Sequence, residues 1–180
     1  MLDGWTPYAI IAGVALVLAA ATVVLARVAW RRQVRRYLVG LVGRREGIGA
    51  ALKTVESGIR VLAAGTVDEL LAFSAEESED RSTFAEIADR MRIETAELAD
   101  LALPKKLWPL ADSLQAAARS LSEQVGGVGD KAGEAVLDAL GGLDLEPVRV
   151  ALRDADGHIA AASTEYGLVD SAVYGGGLYI

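Results

Sequence analysis

The one histidine, His158, stands four residues after Asp154. On a helix that spacing puts a carboxylate and an imidazole on one face, where they could relay a proton or share a metal ion. Such a pair is more often a surface ion pair. One histidine cannot supply a histidine-rich zinc site, nor the repeated Glu-x-x-His of carboxylate di-metal bundles. The chain has no cysteine, so there is no thiol nucleophile, thiolate metal site or disulfide framework. The run ESEDRSTFAE, residues 77–86, gathers Glu77, Glu79, Asp80 and Glu86. It lacks the alternating ligands and central glycine of a calcium loop and reads as a solvated helix end. GGVGDKAGE, residues 126–134, sets glycines before a helix start, a geometry that can hold phosphate. It lacks the preceding strand and the GKS or GKT of the nucleotide fingerprint, and Asp130 would repel phosphate. No serine has the surroundings of a nucleophile elbow. These residues point to a non-enzymatic protein without catalytic residues, cofactor or metal.

Charge is distributed unevenly along the 180 residues. Arg27, Arg31, Arg32, Arg35, Arg36, Arg44 and Arg45 lie within residues 27–45, which hold no acid. Residues 46–180 hold 24 acids against 11 lysines and arginines, a net of −13. A domain this acidic is not expected to bind nucleic acid. Arginine outnumbers lysine 14 to 4 and alanine and glycine are abundant, a bias that fits a bacterial source.

Tyr8 to Ala26, YAIIAGVALVLAAATVVLA, carries no charge over 19 residues. As a helix it would rise about 28 Å, close to the hydrocarbon thickness of a bilayer. Trp5 and Tyr8 at one end and Trp30 and Tyr37 at the other suit the membrane interfaces. The arginines follow directly, while only Asp3 and the amino terminus precede the segment. Positive residues stay on the cytoplasmic side, so the expected orientation is N-terminus outside and C-terminal domain cytoplasmic, at the plasma membrane. A cleaved signal peptide would carry lysine or arginine before its apolar core, and none is present. Trp30, Val34, Tyr37 and Leu41 recur on one helical stripe, leaving Arg31, Arg32, Arg35 and Arg36 elsewhere on the surface. That segment could lie on anionic headgroups, at about 1 kcal/mol per basic side chain, or serve only to orient the chain. Ala9 and Gly13 form a small-xxx-small pair that could let two anchors approach, a spacing common by chance in alanine-rich segments.

The rest of the chain must position whatever these residues do. GRREGIG, residues 43–49, reads as a hinge because its three glycines weaken helix. Ile48, Leu52, Val55, Ile59 and Leu62 follow at helical spacing, with a slip near Thr66 before Leu70 and Phe73. That helix is expected to end near residues 76–80. Ser82, with Glu86, is a loose cap for a helix through Phe84, Ile87, Met91, Leu98 and Leu101. Pro104 and Pro109 predict a break and restart. Leu107, Leu110, Leu114, Ala117, Leu121 and Val125 mark the next helix, which GGVG ends; Asp130 caps a short one through Ala132, Val136, Ala139 and Leu140. Residues 148–163, VRVALRDADGHIAAAS, can be a hairpin around Asp-Gly or a helix. The stripe Val148, Leu152, Ala155, Ile159, Ala162, Tyr166, Val169 and Val173 favours helix, with Asp144 and Pro147 at its start and GGG at 175–177 as its stop.

The expected fold class is all-α: a single N-terminal transmembrane helix followed by an antiparallel helical bundle of four to five helices with coiled-coil-like spacing. The runner-up is α+β with a C-terminal hairpin at 148–163. The domains are a short extracytoplasmic N-terminus (1–7), a transmembrane helix (8–26), a basic juxtamembrane segment (27–45), an acidic cytoplasmic bundle (46–173) and a glycine-rich tail (174–180). In the tail, Leu178, Tyr179 and Ile180 end on a free carboxylate. They could add as a strand to a partner's groove, fold back onto the bundle, or fray. The functional expectation is a membrane-anchored scaffold, adaptor or accessory subunit. Its partners are the lipid bilayer, including anionic headgroups, and other membrane-complex proteins or further copies of itself. The alternative is a membrane-tethered sensory or regulatory module that binds a small ligand through its C-terminal region.

Overall fold

The structure, a computed structural model, describes residues 6–75, 78–131 and 133–166, with backbone alone for 6–15 and 17. All regular elements among them are helices. They are α1 (Thr6–Ala64), α2 (Val67–Ser74), α3 (Glu79–Ala99), α4 (Trp108–Gly129), α5 (Glu134–Gly141) and α6 (Glu146–Tyr166), with a 3-10 turn at Lys105–Leu107. The chain divides into two units, Met1–Tyr37 and Leu38–Ile180, and α1 contributes to both.

In the second unit, four helices bury the apolar stripes read from the sequence. α1 contributes Leu38, Leu41, Ile48, Leu52 and Val55, α3 Phe84, Ala88, Met91 and Leu98, and α6 Val148, Leu152, Ala155 and Ile159. α4 is the most deeply packed: Leu110, Leu114, Ala117, Leu121 and Val125 are all buried, with Ala111, Ala118 and Val128 beside them. Burying each of the leucines contributes about 1.5–3 kcal/mol. Directions follow from the pairings. A Cβ on Gly129 would reach Ala85 and one on Gly126 would reach Ala88, so α3 and α4 run antiparallel. Arg45 bonds Asp156 while Glu56, further along α1, bonds Arg149, nearer the start of α6; these two are antiparallel as well. Arg44 reaches Glu94 and Gly58 meets Phe84, so α1 also opposes α3. The result is an up-down-up-down four-helix bundle.

α2 and α5 are short connectors that join at one end of the bundle. Gly133 N–H donates to Ser74 O at 2.9 Å, and the Phe73 ring sits edge-on to Phe84 at 5.6 Å. Gly133 has φ 62°, a conformation that penalises any residue with a Cβ. Thr66 begins α2 with a reciprocal capping box: Glu69 N–H donates to its hydroxyl, and its own N–H donates to the Glu69 carboxylate. At the other end, Lys106 pairs with Glu165 and ties the 3-10 turn to the end of α6.

Several expectations are corrected. The 43–49 hinge is absent, since α1 runs through it without a break. Leu41, Val42 and Ile48 are buried there, and that burial outweighs the roughly 1 kcal/mol each glycine costs a helix. The second unit begins at Leu38, inside the 27–45 basic segment. The cap of α3 lies four residues before the proposed one: Ser78, not Ser82, accepts from Arg81 N–H. Glu79 and Asp80 occupy its first turn, where the helix dipole favours acids. GGVG lies inside α4, and Asp130 ends α4 rather than starting α5, which follows Gly133. The hairpin runner-up falls: 148–163 is helix, started by Asp144 Oδ1 accepting from Glu146 N–H at 2.9 Å. The described residues hold six helices rather than a membrane span plus four or five.

Among the described residues no helix is long and apolar enough to cross a membrane. Of the expected span 8–26, the side chains of 8–15 and 17 lie outside that set, and the fold gives the span no support. Ala132, Val169, Val173 and glycines 175–177 also lie outside the described residues.

Candidate functional site

The first candidate is the helical arm of the first unit. From residue 18 to residue 33 every side chain is exposed. Its aliphatic side chains include Leu16 at 73% exposure, Leu18 at 62% and Leu25 at 67%. The Thr22 hydroxyl donates to Leu18 O at 2.8 Å and Ala19 O at 2.9 Å, so its proton is bonded within the helix. Arg27, Arg31, Arg32, Arg35 and Arg36 then follow, all exposed. No described carboxylate lies within ion-pair distance of them. At 3.6 residues per turn they occupy roughly half of the helix circumference. Trp30 and Tyr37 lie on the other half, with Trp30 exposed, Tyr37 half-buried and Val34 buried.

Arg44 and Arg45, counted with this basic run in the sequence, have a different role. Arg44 donates to Glu94 at 2.6 Å and Glu97 at 2.9 Å. Burial opposes its charge, but the bonds to Glu94 and Glu97 outweigh that and leave the guanidinium above its ordinary pKa. Arg45 holds Asp156 through Nε at 2.7 Å and Nη2 at 2.6 Å, the two-pronged geometry that fixes direction as well as charge. Arg149 bonds Glu56 through Nε and Nη2. These pairs lock α1 to α3 and α6.

The second candidate is the seam between α1 and α3. α3 with α4 and α4 with α6 make the close interfaces; no helix approaches α1 as closely along its length. A groove of about 500 Å³ opens in this seam. Its walls include Gly58, Val61, Leu62, Phe73 and Phe84, with Lys53 and Asp80 at the margin. Gly58 shapes it, since a Cβ there would stand 3.2 Å from the Phe84 ring. Lys53 and Asp80 are exposed, and neither has an ion-pair partner among the described residues.

The remaining candidates do not assemble. His158 and Asp154 are both exposed on α6 and are not bonded to each other; it is Asp156 that binds across the bundle. Among the described residues no group of three or more His, Cys, Asp or Glu side chains is placed to hold a metal ion. Trp5 lies outside the described residues, as do the side chain of Tyr8, Glu77, and the tail residues Leu178, Tyr179 and Ile180. Sequence reasoning missed the groove. Its one legible signal was Gly58, a glycine inside an otherwise regular helix. No protein-family model matches this chain, and neither does any curated protein or solved structure.

Proposed function

We propose that this chain is a non-enzymatic, single-pass membrane protein, N-terminus outside, whose acidic helical bundle scaffolds other proteins or copies of itself at the cytoplasmic face. The observation that carries the reading is the exposed arm. The described side chains of its apolar run, residue 16 and residues 18–26, are exposed, and a band of exposed arginines follows with no described carboxylate near them. In water each exposed leucine forgoes about 25 cal/mol per Å² of apolar surface that lipid would cover. The guanidinium groups suit the anionic inner leaflet and the rule that keeps basic flanks inside. The ion pairs of Arg44 and Arg45 support a division of labour, with five arginines available to headgroups and two spent on the bundle.

Vesicle flotation tests this. The full-length chain should float with neutral vesicles and more completely with anionic ones. Deleting residues 8–26 should leave it in the dense fraction with its helical circular dichroism retained. Replacing Arg31, Arg32, Arg35 and Arg36 with glutamine should remove the preference for anionic vesicles. A full-length chain that stays in the dense fraction with both vesicle types contradicts the proposal.

A further inference from the structure

We infer that the α1–α3 groove is a docking site for an amphipathic helix of a partner protein, bearing one basic and one acidic side chain about nine residues apart. The inference rests on the scaffold reading and gives it a surface. Five of the groove's ten lining residues, Gly58, Val61, Leu62, Phe73 and Phe84, form an apolar strip and the other five are polar or charged, a mixed lining that suits an amphipathic face. Val61 is 68% exposed, so one wall is wet for lack of a neighbour. The Phe73–Phe84 contact fixes the floor, and Gly58 keeps it open.

Charge identifies the occupant. Gly58 lies opposite Phe84. Lys53 precedes Gly58 by five residues on α1, and Asp80 precedes Phe84 by four on the antiparallel α3. The two charges therefore stand at opposite ends of the groove, roughly 13 Å apart along its axis at 1.5 Å per residue. A helix that spans them needs about nine residues. Leucine-type side chains at i, i+3, i+4 and i+7 would sit on the floor, with a basic group at Asp80 and an acidic group at Lys53.

Three synthetic helical peptides with the same apolar face test this on the full-length chain by fluorescence anisotropy. They carry Arg and Glu, Arg and Arg, or Glu and Glu at the two end positions. The Arg/Glu peptide should bind best, by roughly two- to five-fold, the range expected for exposed charge pairs. Lys53→Glu should transfer the preference to the Arg/Arg peptide, and Asp80→Lys to the Glu/Glu peptide. Val61→Asp, at an exposed wall position, should abolish binding of all three while leaving the circular dichroism unchanged. Equal binding of all three peptides to every variant, or binding of none to a folded chain, overturns the inference. So does a ten-fold gain in peptide affinity on removing residues 174–180, which would make the chain's own tail the occupant, or a gain on dilution, which would make it a second copy. Flotation failing while the peptides bind in this pattern would refute the membrane reading and leave the groove standing. The reverse result would refute the groove alone.

Discussion

Gly129 and Gly157 both lie inside helices, yet alanine should act in opposite directions at the two. A Cβ at Gly129 would stand 2.9 Å from Ala85 Cα and 3.0 Å from its N, both in or on the backbone of α3. That backbone cannot swing away as a flexible side chain would, so Gly129→Ala should destabilise by about 1–3 kcal/mol. A Cβ at Gly157 meets nothing within 4 Å. Gly157→Ala should therefore stabilise by about 0.5–1 kcal/mol through helix propensity alone. Urea midpoints measure both; a Gly129→Ala midpoint at or above that of the parent would contradict the close α3–α4 contact. Ser163 belongs with these. It is buried on α6 and its hydroxyl has no partner among the described residues. Ser163→Ala should leave the midpoint unchanged or raise it, because it removes a desolvated polar group and only one oxygen of volume.

Elements were legible where spacing, caps and burial agreed. α4 and α6 show it best: the 3-and-4 stripes from Leu107 and Val148 are the buried faces, and Pro109 and Asp144 mark the starts. The misreadings have a common cause. Gly43, Gly47 and Gly49 carry a local propensity against helix, but helix continuity through them is decided by the burial of Leu41 and Ile48, which a local reading does not count. The Ser82 reading follows the apolar run that begins at Phe84, whereas the cap, Ser78, answers to the backbone N–H of Arg81. The Thr66–Glu69 capping box was readable and was taken only as a slip. The groove and the ion pairs were not readable, since they join residues such as Arg45 and Asp156 across 111 positions. That pair supplies a prediction at this scale. A double-mutant cycle on Arg45→Met and Asp156→Asn should give a coupling of about 0.5–1 kcal/mol, in the upper part of the range for partly exposed pairs because the bond is two-pronged. It should shrink in 1 M salt. A coupling near zero at low salt would mean that the Arg45–Asp156 pair does not help to hold α1 to α6.

At the scale of the whole molecule, the charge pattern along the chain and the burial pattern agree on where two roles divide. Up to Arg36 the described apolar and basic side chains are exposed, apart from Val34, whereas from Leu38 onward each long helix buries an apolar stripe and Arg44 and Arg45 have acid partners. Composition located the division a few residues late, at 45, because it counts Arg44 and Arg45 by charge and is blind to their acid partners. The proposed lipid-held arm would leave the bundle in water, because a region of net −13 after residue 45 is repelled by the anionic headgroups that would attract the arginines. The most direct test is alkaline carbonate extraction of membranes from cells expressing the full-length chain. The account predicts that the chain stays in the pellet at high pH and high salt and leaves it only with detergent. Its release into the carbonate supernatant would contradict the claim that the arm is embedded in lipid.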